Sequence, residues 1–284
     1  VQEIWLDTTR TLYQKKYYMP NTFLKYSKYY VVLFTTVLLT VSAFAQSKDT
    51  IAISGKNIST KALKNGSNHY LVYFKMKKDA TRTQTQFWTR NIERIDYNGK
   101  AAIKITQEWE DKDSIVHTVT SVCDATTMQP YYHQSWWKQR GISTYDFLMQ
   151  AAEINGKQLS DADTTKARKQ SWQAFKETWN GFSLNWHLDL EVFSTLPFKK
   201  NVTFLIPYYE PGSAKPKSVA YTVSGSGTLM GYNNKEIDCW LLTHESPGNK
   251  ELFYISKKTK EVLKLEQEIN GTMYRYKIKL PFSN

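Results

Sequence analysis

Three of the chain's five Asn-Gly pairs, Asn98-Gly99, Asn155-Gly156 and Asn270-Gly271, constrain what it can fold into more than any other feature. Asn and Gly tolerate positive φ, which a tight hairpin needs if its turn is to match the right-handed twist of the flanking strands. The segments around them fit. Residues 71–76, 84–96, 101–110, 114–122 and 128–138 alternate or carry the β-branched and aromatic residues that strands favour. In the last third, 218–224, 227–232, 236–244, 252–256, 262–269 and 273–280 read the same way. Turns are expected there at Gly225-Ser226-Gly227, Asn233-Asn234 and Pro247-Gly248-Asn249. Along 273–280, Lys277 and Lys279 face one side while Tyr276, Ile278 and Leu280 face the other, the period of a half-buried strand.

Many short strands joined by local hairpins predict a mainly β (α+β) protein. The expected form is one large twisted antiparallel sheet curled into an unclosed barrel. One stretch, 163–180, breaks the pattern. It places Trp172, Phe175 and Trp179 at helical spacing, with Lys166, Arg168, Lys169 and Lys176 on other faces, Asp163 to cap its start and Gly181 to close it. An aromatic helix face must be buried somewhere, and the concave side of the sheet is the natural place.

Residues 31–45, VVLFTTVLLTVSAFA, follow basic Lys25 and Lys28 and end in Ala43-Phe44-Ala45. That is the pattern of a secretory signal peptide cut after Ala45. A spanning helix needs about 20 apolar residues, and Gln46-Ser47-Lys48-Asp49 ends this run sooner. The expected organisation is an upstream extension (1–18), a signal peptide from Met19 (19–45), an N-terminal extension (46–69) and a half-barrel (70–284). The product is expected to be exported, in the periplasm or outside the cell, with no stable transmembrane segment after cleavage.

Residues 1–45 hold five Lys/Arg and two Asp/Glu, so the remainder of the 38 basic and 26 acidic residues is 33 against 24, a net +9. Such a balance suits anionic envelope surfaces. Nucleic acid is not expected, because the basic residues are scattered. Cys123 and Cys239 are compatible with one disulfide or with two buried thiols. No Cys-x-x-Cys pair, H-E-x-x-H motif, P-loop or nucleophile elbow is present, so no catalytic residue, metal or cofactor is expected. His187, Asp189 and Glu191 would share one face of a strand, or in a helix His187 and Glu191 would lie one turn apart; either arrangement could bind a metal or pair a base with its orienter. Alternating with Trp186, Leu188 and Leu190, they read more simply as a half-exposed strand.

Three segments carry a resemblance. The run from Phe253 to Glu266 (FYISKKTKEVLKLE) resembles a hairpin of periplasmic proteins related to the lipoprotein carriers LolA and LolB. The turn from Cys123 to Pro130 (CDATTMQP), and Asn185 to Glu191 with Leu196-Pro197, resemble an uncharacterised family of exported β proteins with that fold. The resemblance implies an unclosed barrel whose apolar concave face is covered by helices, and no catalytic residues. The expected function is binding or carriage of an apolar or amphiphilic ligand, a lipid or a lipoprotein acyl chain. Trp136, Trp137, Trp172, Phe175, Trp179 and Trp186 are the candidate lining. The alternative is an envelope scaffold or polysaccharide-binding protein without a lipid ligand.

Overall fold

A computed structural model describes residues 49–282; the segments 1–18 and 19–45 and the cleavage point after Ala45 lie outside the described residues. The strands are β1 (Asp49–Ala52), β2 (Gly66–Lys75), β3 (Gln84–Tyr97), β4 (Lys100–Asp111), β5 (Ser114–Asp124), β6 (Pro130–Trp137), β7 (Gly141–Asp146), β8 (Ala151–Ile154) and β9 (Lys157–Gln158). After a helical stretch come β10 (Leu184–Asn185), β11 (Val202–Glu210), β12 (Ala214–Met230), β13 (Glu236–Ser246), β14 (Asn249–Ser256), β15 (Val262–Ile269) and β16 (Met273–Leu280). Among the described residues the α-helices are α1 (Lys166–Lys176) and α2 (Asp189–Ser194).

All the strands join one mixed, unclosed sheet in the order β1-β11-β12-β13-β14-β15-β16-β2-β3-β4-β5-β6-β7-β8-β9, with β10 beside β11. Residues 49–52 of the expected N-terminal extension supply β1, which, like β10, runs parallel to β11; the other pairings are antiparallel. The Asn-Gly pairs act as their chemistry dictates. Asn98, Asn155 and Asn270 hold φ of 54°, 51° and 51°, and the following glycines are positive as well.

Gly225-Ser226-Gly227 is not a turn. Residues 214–222 pair with β11 and residues 222–230 with β13, and the sequence kinks only as a bulge between Val223 and Gly225. Both flanks have partners along the same line, so small residues permit a bend without a reversal.

The turn between β5 and β6 explains its sequence. Asp124 Oδ1 accepts from the backbone N–H groups of Thr126 and Thr127, both at 2.8 Å, and from the Thr126 hydroxyl at 2.6 Å. Oδ2 accepts from the Tyr131 hydroxyl at 2.6 Å. Burial alone would raise the Asp124 carboxyl, but the bonds from Thr126, Tyr131 and Thr127 outweigh it and hold it well below the usual range. Asp124→Ala is expected to cost about 1–3 kcal/mol, because it orphans several donors at once. Urea unfolding at pH 7 checks this, and a loss within experimental error would show the turn to be held elsewhere.

One core cluster joins both halves of the sheet, from Val72 and Ile103 to Phe204, Leu242 and Leu265. Its centre is filled by the chain itself. Leu184, Leu188, Leu190, Val192, Phe193 and Leu196 all lie in that cluster, and Phe193 packs edge-on to Tyr221 and Phe253 at 4.8 and 4.9 Å. Residues 186–191 are therefore a short 3-10 turn leading into α2, a plug in the concave side: the helical alternative of the sequence reading holds and the half-exposed strand does not.

The expected helix forms as α1 followed by a 3-10 turn over Glu177–Asn180, which ends before Gly181. Thr165, not Asp163, caps it by accepting from Arg168 N–H; Asp163 instead pairs with the Arg168 guanidinium. The α1 aromatics pack with Tyr145 of β7, Tyr209 of β11, Ala152 and Leu159 in a separate cluster. This cluster stands where the two ends of the sheet approach each other. Gly212 permits the approach: its φ is +83°, and a Cβ there would lie 2.8 Å from the Tyr145 hydroxyl oxygen. Cys123 and Cys239 are buried free thiols in different clusters. Among the described residues no helix is long and apolar enough to cross a membrane.

Candidate functional site

The register of β3 to β6 places Trp88, Trp109, His117 and Trp137 in one cross-strand row on the concave face. Trp88 and Trp109 stack at 3.7 Å, His117 stacks on Trp137 at 3.7 Å, and Trp109 meets Trp137 edge-on at 5.4 Å. Cross-strand aromatic pairs of this kind stiffen a sheet. Two residues along, Arg90 stands opposite Gln107, and a further two along, Ile92, Ile105, Ser121 and His133 share a row.

The plug is fastened to these rows. Arg90 donates from Nε to Glu191 Oε1 at 2.9 Å, from Nη2 to Glu191 Oε2 and to the His187 carbonyl at 2.8 Å, and from Nη1 to Gln107 at 3.0 Å. Gln107 Nε2 also donates to the His187 carbonyl, at 2.6 Å. Burial works against a charged guanidinium here, but the bidentate Glu191 carboxylate outweighs it and holds Arg90 above its ordinary value. Farther along, Asn185 Nδ2 donates to His133 Nδ1 at 2.9 Å and to Ser121 at 3.3 Å.

Three imidazoles gather around this segment, with the His187 ring 4.7 Å from His133 and 5.8 Å from His117. His117 Nδ1 lies 2.8 Å from the Trp136 carbonyl, so that nitrogen carries the proton and Nε2 keeps its lone pair. His133 Nδ1 accepts from Asn185, so its Nε2 is protonated. Both Nε2 atoms are buried without a hydrogen-bond partner. Burial pushes the His117 imidazole down to about 4, against a smaller opposing effect of the Trp136 carbonyl. Burial, then the neighbouring His187 and His117, push His133 well below its ordinary value.

The sign of the pH effect follows. Between about pH 6.5 and 4 the unfolded chain binds a proton at His117 that the folded protein does not. The stability present above pH 6.5 therefore falls as the pH drops through that window, by up to about 3 kcal/mol for this one group. Guanidinium titrations at pH 7 and pH 4.5 check this: His117→Phe is expected to flatten the loss. A variant that loses as much as the parent would exonerate His117.

Strand β16 reverses the ordinary reading of a half-buried strand. Lys277 and Lys279 face inward at 3% and 9% exposure, while Tyr276, Ile278 and Leu280 take the outer face. Lys277 Nζ sits 4.5 Å from the centre of the Trp88 ring and 4.0 Å from Asp189 Oδ2. Burial lowers its ammonium to about 8, partly offset by Asp189. Arg275 points to the same side, opposite Gln267, which bonds to buried Glu251. Lys279 pairs with Glu261 at 2.5 Å. The interior brings its own charges, and the lysine face of β16 goes where they are.

Next to Lys279 the sheet opens into a cleft of about 630 Å³, bounded by residues 61–68, the β14–β15 turn and the end of β16. Its floor includes core residues Leu63, Tyr70, Ile92, Leu190 and Val262, each no more than 5% exposed. Its walls carry Lys61, Lys64, Lys258, Lys260 and Lys279. A volume of this size, an apolar floor and convergent polar groups are the ordinary marks of a ligand site.

The six expected lining residues are not gathered in one place. Trp172, Phe175 and Trp179 are together, but their rings face one another and Tyr145, Phe147 and Tyr209. A recess of about 210 Å³ lies beside Trp179. Trp137 belongs to the inner aromatic row. Trp136 shares the outer row with exposed Glu108 and with Thr118 and Ile142. Trp186 packs edge-on to Tyr208 at 5.0 Å. None of the six lines the cleft. The lysine-bearing segments that do line it lay in the expected N-terminal extension (61–64) and within the 253–266 hairpin (258–260), and they meet through strand order alone.

The geometry defines a class: an unclosed β-barrel plugged by its own helix and open at a lysine-walled cleft. Among the described residues no group of three or more His, Cys, Asp or Glu could hold a metal ion. The chain belongs to the DUF3108 family of proteins of unknown function, whose family model matches residues 69–282. Among solved structures it is similar to a beta-barrel-like protein of the domain of unknown function DUF1849 from Brucella abortus. The identity there is 8%, the TM-score 0.36, and the match covers 76% of this chain and 97% of that one. It is also similar to HtdX of Mycobacterium tuberculosis, at 10% identity and a TM-score of 0.16, over 87% of this chain and 83% of that one. No curated protein matches.

Proposed function

We propose that this chain is an exported envelope protein, working in the periplasm, that binds an apolar or amphiphilic molecule such as a lipid or a lipoprotein acyl chain. The observation that carries the reading is the 630 Å³ cleft, because its floor is made of core side chains. An apolar stem laid there would meet the small exposed remainder of these side chains and withdraw its own surface from water, which is the main source of affinity in such sites. The signal-like run at 31–45 supports export, and the resemblance of the 253–266 hairpin to the carriers LolA and LolB supports an acyl cargo. The test is native mass spectrometry of the delipidated protein with a fatty acid, a phospholipid and an acylated peptide. A one-to-one adduct with at least one is expected; no adduct with any would remove the reading.

A second reading, an envelope scaffold or polysaccharide-binding protein, is favoured by the solid packing beneath α1. It predicts retention on anionic glycans that weakens with salt, without lipid adducts.

A further inference from the structure

We infer that the cleft selects an anionic head group, so that the amphiphile it takes is acidic rather than neutral; this rests on the binding reading above. The cleft is lined by five lysines and two glutamates. Both glutamates are already committed: Glu191 to Arg90 beneath the floor, and Glu261 to Lys279. Among the described residues Lys61, Lys64, Lys258 and Lys260 form no ion pair. Four lysines without a carboxylate partner therefore line one concavity, Lys260 with its Nζ 5.6 Å from the centre of the Phe198 ring.

They come from two separate walls, Lys61 and Lys64 from the segment before β2, and Lys258 and Lys260 from the β14–β15 turn. A single anion between the walls meets charge from both sides. Lys260 holds a φ of +65°, a conformation that favours glycine or asparagine, yet a lysine stands there. In an isolated surface patch such like charges would only repel one another and be screened. In a cleft with low-dielectric walls their fields add.

The floor supplies the other half of the specificity. Leu63, Tyr70, Ile92, Leu190 and Val262 offer a stem no hydrogen-bonding partner beyond the Tyr70 hydroxyl, which already lies 3.4 Å from the Val262 carbonyl. The chemistry that fits is a phosphate or carboxylate head at the lysines with a short apolar stem below. An acidic phospholipid and a free phosphate share that head, and only the first uses the floor.

The test is calorimetric titration with three probes: a short-chain phosphatidylglycerol, the matching phosphatidylcholine, and inorganic phosphate. The acidic lipid is expected to bind at least tenfold more tightly than the zwitterionic one, and the advantage is expected to disappear in high salt. In the double variant Lys61→Glu/Lys258→Glu the advantage of the acidic lipid over the zwitterionic one is expected to fall by at least tenfold. Both positions are exposed, so thermal unfolding is expected to be unchanged and confirms that the variant is folded. Equal binding of the two lipids would overturn head-group selection and leave the amphiphile reading standing. Phosphate binding as tight as the acidic lipid would support the lysine site and overturn the amphiphile reading. No binding by any probe would overturn both.

Discussion

Arg90→Ala is expected to cost about 3–5 kcal/mol and to loosen residues 184–196 from the barrel. Arg90 is 1% exposed and its guanidinium serves four acceptor sites: both oxygens of Glu191, the His187 carbonyl and Gln107. Truncation leaves the Glu191 carboxylate, itself 4% exposed, without a cation and without water. The cost comes mainly from that abandoned charge and less from the lost contact. Removing both charges with Arg90→Met/Glu191→Leu is therefore expected to recover most of the loss, since the His187 carbonyl still accepts from Gln107. Urea unfolding of the parent, the single variant and the double variant gives the comparison. Limited proteolysis is expected to cut the single variant faster within 184–196. A single variant within about 1 kcal/mol of the parent would show that the plug is held by packing alone.

Phe175→Ala comes next in size, also at about 3–5 kcal/mol, by cavity formation in a closely packed site. Phe175 is fully buried and its ring lies 5.2–5.8 Å from those of Phe147, Tyr145 and Trp179. It is the shared member of the cluster that spans β7, β11 and α1. Its loss is expected to free α1 and the facing ends of the sheet together. Trp172→Ala is expected to cost less, because that ring is only partly buried at the edge of the cluster. Denaturant titration followed by tryptophan fluorescence ranks the two. If Trp172→Ala proved the more damaging, the centre of this cluster would lie elsewhere.

The parts of the fold legible in the sequence are those that local chemistry determines. Asn98-Gly99 and Asn155-Gly156 turn where they were read to turn because only residues tolerant of positive φ fit there. The 163–180 helix formed because Trp172, Phe175 and Trp179 share its period, whichever surface they cover. The turn at 124–130 was visible as a motif, and the bonds accepted by Asp124 show why those residue types suit it.

The candidate site was much less legible. His187, Asp189 and Glu191 alternate as strand residues would, and nothing in that pattern reveals a buried Arg90 more than ninety residues away in sequence. The aromatic row needs Trp88, Trp109, His117 and Trp137 to stand opposite one another, which is a fact of register. Gly225-Ser226-Gly227 has the composition of a turn and becomes a bulge because β11 and β13 pair on either side of it.

Local residue chemistry alone settled the hairpins at the Asn-Gly pairs and which residues of a strand such as β16 share a face. Which face turns inward was left to the assembled sheet. Alternation along β16 separates Lys277 and Lys279 from Ile278 and Leu280, but it carries no sign. The sign came from Asp189, Glu261 and the Trp88 ring, brought to the lysines by distant strands and by the plug. A buried ammonium is tolerated only where such partners already stand, and no stretch of neighbouring residues records where they stand.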